Sequence, residues 1–220
     1  MTKALLEKHV RALELRKKGW SYSAIKRELG IAKSTASAWL NKFPLSHEQL
    51  DKLQFHNEHR IERFRSTMAK KKQKLFDDVV EIQEKIIGQL TEKELYLCGL
   101  ALYWGEGGKT QYASMTFANT DPRMIRFFLE WLRKAIHYPD DHIKIKLHLY
   151  KDMDIDDEAK YWSNITGFGQ DHFLTPYVKE TTLRGLTYKT RGHGTCNIVA
   201  CGLRFARPVF AGMEVLSRMY

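Results

Sequence analysis

Apolar residues recur at helical intervals along the first third of the chain. Leu5, Leu6, Val10, Leu13 and Leu15 predict a helix over residues 4–18, which Gly19 stops. Ser21 or Ser23 can cap a second helix through Leu29, with Ile25 and Leu29 four apart on its inner face. Gly30 suits a tight turn, because a left-handed backbone costs glycine least. A third helix is expected from Lys33 to about Lys42, ending before Pro44. From Ser46 to Ile87 there is neither Pro nor Gly, and Ile61, Phe64, Met68, Leu75, Val79, Ile82 and Ile86 fall mostly three, four or seven apart. One or two long amphipathic helices are expected there.

The pattern changes after residue 90. Thr91-Glu92-Lys93-Glu94 has the form of a capping box and opens a helix through Trp104, which ends at Gly105-Glu106-Gly107-Gly108. Gly99 and Ala101 stand among large apolar residues, a pattern that lets another backbone come close. A strand is expected near residues 114–118. Asp121-Pro122 then caps a helix whose apolar face is Ile125, Phe128, Leu129 and Leu132. Strict alternation follows, with Ile143, Ile145, Leu147 and Leu149 set against Lys144, Lys146, His148 and Tyr150: a strand with one buried face and one basic face. A helix from Asp154 or Asp156 through Ile165, strands near 173–179 and 195–200, and a last helix near 207–219 complete an α+β layering of sheet against helices. The expected architecture is multi-domain: an all-α domain over 1–44, a basic helical connector over 45–90 and an α+β domain over 91–220.

Charge sharpens this division. The chain of 220 residues carries a formal net charge of +10. Residues 1–74 hold 18 Lys and Arg against 7 Asp and Glu, and the remainder 18 against 19, so the whole excess lies in the N-terminal third. A concentrated cationic field attracts polyanions, nucleic acid foremost. An anionic membrane surface is the rival, but it asks for a basic face backed by an apolar one with exposed aromatics. No apolar run approaches the length of a membrane span, and the first residues lack the apolar core of a signal peptide. Three cysteines, Cys98, Cys196 and Cys201, are an odd count that points to a reducing compartment, so a cytoplasmic, nucleoid-associated location is expected; Cys196 and Cys201 are read as buried thiols rather than as a zinc site.

Within this frame the stretch Ser21 to Leu40, with its Leu29-Gly30-Ile31-Ala32-Lys33-Ser34-Thr35 centre and closing Trp39-Leu40, resembles the helix-turn-helix of resolvase and transposase families. Lys26 departs from that pattern, where a small Ala is usual. The resemblance implies that the third helix enters the major groove of double-stranded DNA, N-terminal end first. Lys33, Ser34, Thr35 and Ser37, with Lys42 at the far end, are then the candidates for phosphate and base-edge contacts, while Trp39 and Leu40 belong to the core. A plain three-helix bundle with a solvated face, or a protein-binding helix-turn-helix, stays open. Lys70, Lys71, Lys72 and Lys74 are phosphate candidates beside it. They also interrupt the apolar seam, which is a possible dimerisation surface despite Lys71.

A second resemblance lies further on. Leu100-Ala101-Leu102-Tyr103-Trp104-Gly105-Glu106-Gly107 is similar to the signature helix of LAGLIDADG homing endonucleases, with Ala101 where a Gly is usual and Trp104 where Asp often stands. The family implies an αββαββα plan over 91–220, with an extra helix at 155–166. It also implies a homodimer in which two signature helices pack together, since only one such motif is present. Each terminal acid, here Glu106, would then hold Mg²⁺ at a DNA-cleaving centre, because carboxylates bind divalent ions that activate water in phosphodiester hydrolysis. Lys144, Lys146 and His148 would line the DNA-facing side of the sheet, and Lys189 or Arg191 would stabilise phosphate charge. The WhiA regulators join the same domain type to a helix-turn-helix. Three functions therefore remain in view: a metal-dependent endonuclease, a non-catalytic transcriptional regulator, and an accessory protein of recombination or transposition. His137, His142, His172 and His193 show no ligand spacing.

Overall fold

A computed structural model of the chain describes residues 3–53, 56–110, 112–180 and 192–219. Among these residues nine α-helices and a four-stranded mixed sheet make an α+β fold, divided into two compact units, Met1–Gly88 and Gln89–Tyr220.

The first unit opens with α1 (Lys3–Lys17), α2 (Tyr22–Leu29) and α3 (Lys33–Leu40). Ala12, Leu15, Tyr22, Ile25, Ile31, Ala36, Trp39 and Leu40 form their shared core. Ser21 caps α2 by accepting a hydrogen bond from the Ala24 amide, and Gly30 closes it at φ 58, the left-handed conformation expected of that turn. The apolar pattern of α1 is only partly used. Leu5, Leu6 and Val10 are exposed, whereas the buried Ala12, Leu15 and Arg16 all lie in its C-terminal half, where the other helices close on it. Helix α3 is also shorter than expected. It ends at Leu40, and Lys42 falls in the turn that follows, where the Phe43 amide donates to the Leu40 carbonyl at 2.9 Å.

The connector divides into a short α4 (His47–Asp51), started by a Ser46–Gln49 capping box, and a 32-residue α5 (His56–Ile87). The start of α5 is docked on the three-helix core. Arg16 donates to both carboxylate oxygens of Glu62, at 3.1 and 2.9 Å, and to the carbonyls of Phe43 and Trp20. Glu62 also accepts from the Tyr22 amide, and the guanidinium of Arg65 lies over the Tyr22 ring at 3.9 Å. From Thr67 onward α5 is exposed along its whole circumference.

The second unit begins with α6 (Glu92–Glu106), opened by the expected Thr91–Glu94 capping box; the Thr91 hydrogen bonds hold the Glu94 carboxyl below its ordinary range. The elements β1 (Ser114–Asn119), α7 (Pro122–Lys134), β2 (Ile143–Tyr150), α8 (Ile155–Thr166), β3 (Phe173–Lys179), β4 (Thr195–Cys201) and α9 (Leu203–Ser217) follow. The strand order is β1-β4-β2-β3, antiparallel except for the β2–β3 pair, which α8 joins by a crossover. This differs from an αββαββα plan, because α7 separates β1 from β2. What stands near the place of a preceding strand is an isolated bridge from Gly107 to Phe117. The core fills one side of the sheet: Met115, Phe117, Ile143, Ile145, Leu147, Leu149, Cys196 and Ile198 pack with Leu100, Tyr103, Phe128, Trp131 and Val209. Of the two thiols expected to be buried, Cys196 is, and burial pushes its pKa well up, so it behaves as a small apolar side chain; Cys201, at the end of β4, is exposed.

Gly99 shows how tightly α6 and α7 meet. A Cβ there would stand 2.0 Å from the Trp131 indole, so the small residue receives a ring rather than another backbone. The indole Nε1 donates to the Tyr96 carbonyl beside it, at 3.2 Å. Ala101, the other small residue of the pattern, is exposed.

Candidate nucleic-acid interface

Residues around the N-terminus of α3 present mixed chemistry. Lys33 and Ser34 are exposed and Thr35 and Ser37 half-buried, while Ala36, Trp39 and Leu40 turn inward. Ala32 offers no side-chain cap, so the first amides of α3 carry partial positive charge toward whatever approaches that end. Lys26 is exposed on α2. Lys42 and the Lys70, Lys71, Lys72 and Lys74 run are exposed as well, the first just past α3 and the others midway along α5.

A second polar surface is the side of the sheet opposite the core. Strand pairing places Lys144 beside Val199, Lys146 between Asn197 and Leu174, and His148 between Thr195 and Tyr177. Tyr150 pairs with Lys179, whose ammonium lies 5.3 Å from the Tyr150 ring centre. The His148 and Tyr177 rings meet edge to face at 5.6 Å. Burial, then the charges of Lys146 and Lys179, push the His148 pKa below its ordinary value, so its ring is neutral at neutral pH. Lys144 Nζ donates to the Asp171 carbonyl at 3.3 Å. The face is thus cationic with aromatic and amide groups interleaved. Lys179, Tyr177 and Asn197 join it through cross-strand register, which the spacing within any one strand does not reveal.

Glu106 ends α6. Its carboxylate is exposed, and no side chain among the described residues bonds to it. The glycines after it are held in place. Gly107 bridges to Phe117, the Gly108 amide donates to the Thr116 carbonyl at 2.8 Å, and a Cβ on either would collide with Tyr103 or Thr116. Tyr103 is buried and its hydroxyl donates to the Gly108 carbonyl, while Lys109 Nζ donates to the Gly107 carbonyl at 2.9 Å. The end of α6 is therefore pinned to β1 and not a loose stop. Along α6 the residues Leu97, Cys98, Ala101, Trp104 and Gly105 form one exposed, largely apolar stripe leading to Glu106.

Among the described residues no three His, Cys, Asp or Glu side chains gather as a metal-ligand set. At the C-terminal end of α6 the exposed acid is Glu106. His193 sits apart from it, its Nδ1 2.8 Å from Glu158 and its ring stacked on Tyr161. His137 and His172 likewise have local partners, Glu92 and the Ile143 carbonyl. Lys189 and Arg191 lie outside the described residues. No described helix is long and apolar enough to cross a membrane. Comparison with protein-family models, with curated proteins and with solved structures gives no match for this chain.

Proposed function

We propose that this protein binds double-stranded DNA sequence-specifically, with α2 and α3 acting as a helix-turn-helix and the open face of the sheet as a second, cationic contact surface. The observation that carries the reading is the end of α3. An uncapped helix N-terminus is flanked by exposed Lys33 and Ser34, with Thr35 and Ser37 at the rim, on a core that buries Trp39 and Leu40 behind it. Backbone amides and Lys33 supply phosphate contacts, and the hydroxyls reach base edges. Lys144, Lys146 and Lys179 add charge that carries no sequence information by itself. Binding of the full chain to a selected duplex tests this. Lys33→Ala with Thr35→Ala should weaken specific binding by about 1–3 kcal/mol per lost base contact while non-specific binding falls less. Unchanged affinity and specificity would remove α3 from the interface.

The exposed stripe of α6 favours a second reading, a homodimeric Mg²⁺-dependent DNA endonuclease. Leu97, Ala101 and Trp104 leave an apolar path on which a second α6 can lie, which would bring two Glu106 carboxylates together. Bound there, Mg²⁺ would supply an activated water and stabilise the leaving oxygen. Metal-dependent cuts that vanish in Glu106→Gln while binding persists establish the enzyme. Binding without cuts leaves a non-catalytic regulator.

A further inference from the structure

The C-terminal two-thirds of α5 carries an apolar seam with an internal symmetry. Phe64, Met68, Leu75, Val79, Ile82 and Ile86 are 48–70% exposed, and with Lys71 they make one line along the helix. Measured from Leu75, these positions lie 11, 7 and 4 residues before it and 4, 7 and 11 residues after it. All stay within about 40° of a single helical face. A seam that reads the same in both directions is self-complementary for a two-fold pairing in which the helices run oppositely. The charges have the opposite symmetry. Between His56 and Lys74 the helix holds seven Lys and Arg against two Glu; between Phe76 and Ile87 it holds four Asp and Glu against Lys85 alone.

We propose that α5 pairs antiparallel with α5 of a second copy of this chain, about a two-fold axis at Leu75. Phe64 then meets the partner's Ile86, Met68 meets the partner's Ile82, and the two Leu75 side chains meet on the axis. The basic half of each helix lies along the acidic half of the other, so that Lys71 comes level with the partner's Asp78 and Lys70 with the partner's Glu81. A lysine inside the seam is thereby matched rather than stranded, its stem lying on the partner's Val79. A parallel pair would set seven cations against seven cations and lose this match. The interface is separate from the α6 stripe and does not depend on the reading of α3.

Sedimentation of the full chain without DNA, across the micromolar range, tests the pairing. The wild type should dimerise, and Leu75→Glu should weaken the dimer by roughly a hundredfold, because two carboxylates then meet on the axis. Unchanged circular dichroism would show that the helices survive the change. Orientation is read from charge exchange. Lys70, Lys71 and Lys72→Glu, or Asp77, Asp78 and Glu81→Lys, should each weaken the dimer by roughly tenfold, and the two sets combined in one chain should restore it. A monomeric wild type, a dimer that survives Leu75→Glu, or single exchanges that cost nothing would each overturn the proposal. Duplex binding is measured on the wild type and on Leu75→Glu, which leaves the candidate phosphate contacts Lys70, Lys71 and Lys72 in place. Loss of pairing in Leu75→Glu with half-site binding intact separates a failure here from a failure of the DNA reading.

Discussion

His148 is a base held neutral by its surroundings. It sits on the open side of the sheet with Lys146 on its own strand, Tyr177 and Lys179 on β3, and Thr195 and Asn197 on β4. Burial and the two lysines lower its pKa from the ordinary 6.5. The unfolded chain takes up that proton first as pH falls, so the neutral ring contributes stability above about pH 6.5, lost as pH drops through the lowered folded value. The second unit should therefore melt at progressively lower temperature through that window, and His148→Gln should flatten the slope. Equal slopes in wild type and variant would detach the ring from acid sensitivity. Lys144, Lys146 and His148 were legible as one face because β-strand side chains alternate. Their neighbours Tyr177 and Lys179 were not, because register between distant strands leaves no mark on local spacing.

At the scale of elements, the pairing of α1 with α5 is a buried ion pair 46 residues apart in sequence. The side chains of Arg16 and Glu62 are 2% and 5% exposed, and each nitrogen of the guanidinium donates to a carboxylate or carbonyl oxygen. Removing one member leaves the other charged and buried. Arg16→Met should cost about 3–5 kcal/mol of the first unit's stability in chemical denaturation, and Glu62→Leu added to it should recover part of that loss. A cost near zero would mean that water reaches the site. In the sequence Arg16 is one of many cations, and nothing in its periodicity separates it from Lys17 or Lys18, which are exposed. Local chemistry was readable where it is self-contained: the Thr91 capping box, the Gly30 turn, the Asp121-Pro122 start of α7. In that last case the Arg123 side chain and amide hold the Asp121 carboxyl down at about 2. The single strand ahead of α7 was likewise readable from its residues, against the two that the resemblance implies; the parallel β2–β3 pair was not, because it depends on which distant strands meet.

For the whole molecule, the excess positive charge of residues 1–74 gathers at α3 and along α5, whereas the sheet of the second unit has a local cationic face in a stretch whose 18 basic residues are matched by 19 acidic ones. Glu106, legible only through resemblance, stands at the end of a helix fixed to the sheet by Gly107 and Gly108. The docking of α5 at Glu62 has a metric consequence. Because Arg16 locks the three-helix core to that point, α5 is a ruler whose zero is Glu62 and whose midpoint, in the proposed antiparallel pair, is Leu75. Two such cores on the ruler would be 26 residues apart, about 39 Å at 1.5 Å per residue, close to the roughly 34–36 Å of one duplex turn. On the proposed DNA reading of α3, the preferred target should be an inverted repeat with centres about ten base pairs apart. Inserting about five base pairs, which turns one half-site to the far side of the duplex, should reduce affinity to that of a lone half-site, and inserting a full turn should not restore it, since a helix cannot stretch.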